Sequence, residues 1–134
     1  MTRFPDWQNR LVHFLKGTAK EPFEEGQRDC ALFLADGVRV MTGTDYAEPF
    51  RGRYTTTRGG LRVLRRAGYN DHVELARAHL REVPVAFLKP GDGAVVAEDG
   101  QEALGIVQGA WIYLRGPKGL IPAPLSRAHI GLEV

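Results

Sequence analysis

Apolar positions in the first two-thirds of the chain recur at helical spacing, whereas in the last third they gather in short runs broken by glycine and proline. Trp7, Leu11, Phe14 and Leu15 follow the i, i+4, i+7, i+8 pattern of a buried stripe. Together with Asp6 as N-cap and Gly17 at C′, they predict a first helix ending near Lys16. A second helix is predicted over 30–41, opened by Asp29 and closed by Gly43. Leu32, Phe33, Leu34, Val38, Val40 and Met41 cover most of its circumference, which predicts the central buried helix. A third, basic helix is predicted over 61–66, closed by Gly68, with Leu61, Leu64 and Ala67 inward. The fourth begins at Asp71, paired with Glu74 in a capping-box-like start. Val73, Leu75, Ala76 and Leu80 line its inner face, and it ends at Pro84.

Beyond Pro84 the pattern predicts strands at 94–97, 104–108, 110–114, 120–122 and 130–132. Asp99-Gly100 marks a hairpin turn and 115–119 a second. Helices followed by a strand meander imply an α+β fold, with N-terminal helices packed on a C-terminal antiparallel sheet. The 134 residues fit one domain, helical over about 1–83 and β-rich over about 84–134.

Composition adds limits. A net charge of +2 gives no case for nucleic acid. Eight arginines against three acids between Arg51 and Glu82 nevertheless make that segment locally basic. It reads either as a solvated face or as a patch toward an acidic partner. The start, MTRFPDWQNRL, lacks the apolar run of a signal peptide, and no stretch approaches the ~18 apolar residues of a membrane span. A chain made in the cytoplasm, with no membrane span, is the expectation. No zinc spacing and no dinucleotide or Walker-type glycine loop occurs, so neither a metal nor a cofactor is implied.

Cys30 is the single cysteine, so no intrachain disulfide can form. At a helix start the free N–H groups and the dipole favour a thiolate, the condition for a nucleophile. A small apolar residue would occupy the same place. A nucleophile also requires a base. His13, His72 and His79 fall in predicted helices, whereas His129, in the AHIGL stretch, is the one histidine of the β-rich part. Arg51, Arg53 and Tyr54 are candidates for binding a partner, or for pinning their loop to Asp45 and Glu48. Asp92 reads as a turn cap or as an acid with a catalytic or metal role. Trp111 and Tyr113 share one face of a strand, as sheet packing or a subunit contact.

The order of motifs resembles the NlpC-type cell-wall peptidases of the papain-like fold. Asp29-Cys30 opens an apolar helix, LKPGD (88–92) enters a strand, and LGIVQG (104–109) follows a hairpin. The resemblance covers about 29–124 and implies Cys30 as nucleophile. Overlaying Leu104-Gly105-Ile106-Val107 on the enzyme motif puts the catalytic histidine's position at Ala103, and Ala31-Leu32 stands where the enzymes have Ser-Gly. The chain also resembles small proteins of tailed phages and prophages, through the stretches 29–36, 41–45, 50–54 and 91–107. That resemblance implies a virion protein of the tail tip or baseplate, with other tail-tip or hub proteins, and peptidoglycan, as partners.

The expected function is therefore a non-catalytic structural pseudo-enzyme. The alternative is an active cysteine peptidase or amidase cutting peptidoglycan during phage entry, with Cys30 as nucleophile and His129 as base.

Overall fold

The computed structural model describes residues 2–134, apart from the side chain of Glu98. The helices are α1 (Trp7–Thr18), α2 (Cys30–Thr42), α3 (Thr57–Arg66) and α4 (His72–His79). Among the described residues, β1 (Arg81–Val83), β2 (Gly93–Glu98), β3 (Gln101–Gln108), β4 (Trp111–Gly116), β5 (Gly119–Pro124) and β6 (Ala128–Glu133) form one antiparallel sheet in the order β1-β6-β2-β3-β4-β5. The protein is α+β.

Local chemistry explains the element boundaries. Asp29 caps α2 by accepting the Leu32 N–H, and Gly43 ends it in the left-handed region at φ 81°. That conformation suits glycine because it lacks a Cβ. Asp99 (φ 51°) and Gly100 (φ 76°) both take positive φ in the two-residue turn joining β2 to β3. Such turns match the right-handed twist of the strands they join.

Three helix boundaries differ from the sequence reading, and β3, β5 and β6 run longer than their apolar cores. Gly17 lies inside α1, because the helix continues to Thr18. The helix α3 starts at Thr57, since the Thr56 hydroxyl accepts the Gly59 N–H and outweighs the two glycines in its first turn. The helix α4 ends at His79, and residues 81–83 instead pair with β6. A three-residue edge strand has too little periodicity to be read locally.

The main core lies between the helices and one sheet face. Leu32, Phe33, Leu34, Ala35, Val38 and Met41 of α2 are fully or almost fully buried, against Leu11 of α1 and Val95, Leu104, Ile106 and Leu132 of the sheet. Each such large side chain contributes about 1.5–3 kcal/mol. Gly37 allows the close approach of α2 to β3, since a Cβ there would stand 2.6 Å from the Ile106 Cδ1. The opposite sheet face holds a smaller cluster of Ala94, Val96, Val107, Ile112, Leu114 and Ala123.

Buried Asp92 joins the chain's two ends. It accepts from the Arg3 guanidinium (2.8 Å), the Lys89 N–H (2.9 Å) and the Val134 N–H (3.1 Å). Among the readings of Asp92, the turn cap is therefore the one its contacts carry out.

Candidate functional site

A cleft of about 280 Å³ lies at the start of α2, lined by Cys30 together with Glu25, Tyr54, Leu61, His72 and Glu102 among others. Its wall is built by Asp29. One carboxylate oxygen accepts the Leu32 N–H (2.9 Å), and the other accepts the Gly26 N–H (2.9 Å) and the Tyr54 hydroxyl (2.5 Å). A single buried acid thus caps the central helix, closes the preceding loop and docks the loop leading to α3.

The thiol of Cys30 is pushed up to about 11 from its usual value. Burial is the largest cause, followed by the negative charges of Asp29 and Glu25, which together outweigh the Arg115 cation. The helix N-terminus pulls the other way, and it loses.

Two histidines approach the cleft's outer end, and both are engaged. The Nε2 of His72 lies 3.1 Å from the Glu102 carbonyl oxygen. A carbonyl only accepts, so this nitrogen carries the proton and cannot act as a base. His129 does not line the cleft, and its Nε2 donates to the Glu102 carboxylate at 3.0 Å.

Ala103 is not the position on β3 that faces Cys30. Val95, Leu104 and Ile106 pack toward the helices, while Ala103, Val96 and Val107 belong to the cluster on the far side. Side chains alternate along a strand, so the residue presented toward the cleft is Glu102. The motif overlay located the strand but was one residue out of phase with its face.

The three proposed partner-binding residues separate. Arg51 is spent inside the domain, bidentate on Asp45 (2.8 and 3.0 Å) and 2.6 Å from Asp36. Burial raises the Asp36 carboxyl and the Arg51 cation offsets part of that rise. Tyr54 donates to Asp29, and burial with that bond raises its hydroxyl above the usual range. Arg53 alone of the three is exposed. His72 and Glu102 were missed as cleft residues, because nothing in a sequence shows a helix start and a hairpin arm 30 residues apart converging.

Trp111 is half exposed, while Tyr113 packs against the main core. No cluster of three His, Cys, Asp or Glu among the described residues is arranged to hold a metal ion. No helix among them is long and apolar enough to cross a membrane.

The fold and the cleft define an α+β protein with a half-buried free thiol at the start of its central helix. The chain belongs to the family described as "Domain of unknown function (DUF6950)", whose model matches residues 2–134. No curated protein and no solved structure matches it.

Proposed function

We propose that this protein is a non-catalytic structural component of a phage tail tip or baseplate, a pseudo-enzyme on a papain-like, NlpC-type plan that binds neighbouring tail proteins in the virion. The observation that carries the reading is the setting of Cys30: a half-buried thiol sharing its cleft with Asp29 and Glu25, where burial and those negative charges push its ionisation up. A working nucleophile needs the opposite environment, a cation or a base beside it. The motif order supports the NlpC-type plan, and the resemblance of the stretches 29–36, 41–45, 50–54 and 91–107 to tail proteins supports the location.

The test is the rate of alkylation of the single cysteine by iodoacetamide between about pH 6 and pH 11, on wild type, His72→Ala and His129→Ala. Because the folded pKa is raised, reactivity should climb only toward the alkaline end, equally in all three. Isolated cell walls should not be cleared by wild type. A rate already levelling off near neutrality, and shifting when either histidine is removed, would falsify the reading.

A second reading, a cysteine peptidase or amidase acting on peptidoglycan, draws on one observation: Cys30, His72 and Glu102 line the same cleft. For it to hold, wild type must clear cell walls while Cys30→Ala and His72→Ala do not. Loss of clearing in His129→Ala with full activity in His72→Ala would assign the base to His129 instead.

A further inference from the structure

The ten-residue helix α3 carries four arginines on one side, Arg58, Arg62, Arg65 and Arg66. All four are exposed, and none has a hydrogen-bond or ion-pair partner among the described residues. Arg58, Arg62 and Arg66 are spaced i, i+4, i+8, which on a helix puts neighbouring side chains about 6 Å apart along a slanting ridge of about 12 Å. Like charges at that spacing weaken the helix that bears them. The chain supplies no acid to relieve them, whereas it gives Arg51 two. The arginines border a groove of about 780 Å³ whose apolar lining comes from Leu61 and the arginine stems.

We infer that the outer face of α3 is a docking ridge for an acidic helix of a partner protein, with carboxylates at i, i+4 and i+8. A helix of that pattern presents its charges at the same rise as the arginines. The guanidinium fork takes a carboxylate bidentately, and Leu61 offers the partner a central apolar contact. Nucleic acid fits less well. The groove lining contains no aromatic side chain for bases to stack on, and the net charge of the chain is only +2. A second copy fits poorly too, because no helix of this chain carries acids at the required spacing: α1 and α3 have none, α2 has Asp36 and α4 has Glu74. The inference rests on the reading of the protein as part of a larger assembly, and it names the chemistry of the neighbour.

The experiment measures fluorescence anisotropy of a labelled alanine-based helical peptide bearing glutamates at i, i+4 and i+8, titrated at low salt with the full chain. A lysine-bearing peptide of the same design and a labelled poly-thymidine strand serve as competing probes. The acidic peptide should bind and the lysine peptide should not. The triple variant Arg58→Ala/Arg62→Ala/Arg66→Ala should weaken binding about tenfold, a sum of three exposed ion pairs. Lys20→Ala/Lys118→Ala, at exposed positions away from α3, should leave it unchanged. Alanine suits an exposed helical position, so the triple variant keeps the fold. The ridge is overturned by absence of acidic-peptide binding, by binding indifferent to the triple variant, by tighter binding of the thymidine strand through the same arginines, or by arginine-dependent self-association in light scattering. Clearing of cell walls would remove the structural-component reading and leave this result standing; a failed titration would remove the ridge and leave the thiol measurement standing.

Discussion

Asp29 concentrates at one carboxylate the interactions that create the cleft. It satisfies two backbone N–H groups and the Tyr54 hydroxyl, and its charge helps keep Cys30 protonated. Removing an N-cap costs about 0.5–2 kcal/mol, and each buried donor left unpaired adds about 1–3 kcal/mol. Asp29→Ala should therefore destabilise the protein by at least about 2.5 kcal/mol, read from the midpoint of urea unfolding. A loss below about 1 kcal/mol, the worth of the cap alone, would mean that the Gly26 and Tyr54 bonds contribute nothing. The Asp29 cap was legible in the sequence, because an N-cap bonds a residue three positions on. Its bond to Tyr54 was not, since that partner lies 25 residues away.

The elements separate two glycines that look alike in the sequence, each near the end of an apolar-striped helix. Gly43 occupies the left-handed region, and a Cβ there would stand 2.9 Å from the Phe4 ring. Gly17 lies within α1, where a Cβ would meet nothing within 4 Å. An L-residue forced into the left-handed region loses about 1–2 kcal/mol, whereas alanine gains about 0.5–1 kcal/mol over glycine inside a helix. Gly43→Ala should thus lower the thermal midpoint and Gly17→Ala should raise it. Equal signs in the two melts would place both glycines in the same conformation. The sheet shows a related limit. The strand run around 104–107 was evident from its apolar residues, but its phase depends on which face the helices cover, and that put Ala103 on the wrong side.

At the scale of the whole molecule, Asp92 fastens the N-terminal segment to the last strand through Arg3 and Val134, and the pair with Arg3 is largely withdrawn from water. Breaking a buried pair by removing one partner costs about 3–5 kcal/mol. Asp92→Ala should cost that much in denaturant unfolding, with amide exchange quickening first in β6 and the α1 entry. Undisturbed exchange at Val134 would show that the tie is not formed. The sequence by itself determined what neighbouring residues decide among themselves: the start of α2 at Asp29-Cys30, its stop at Gly43, the Asp99-Gly100 turn, and helices followed by strands. These signals act over a few residues, through caps, φ preferences and periodicity. Tertiary structure alone decided the remainder: that Arg51, read in the sequence as a partner for Asp45, closes on Asp36 as well, that Arg3 reaches an acid 89 residues away, that Glu102 rather than Ala103 faces the cleft, and that burial pushes the Cys30 thiol up. Those outcomes depend on burial and on charges brought together from distant parts of the chain, and neither exists until the chain has folded.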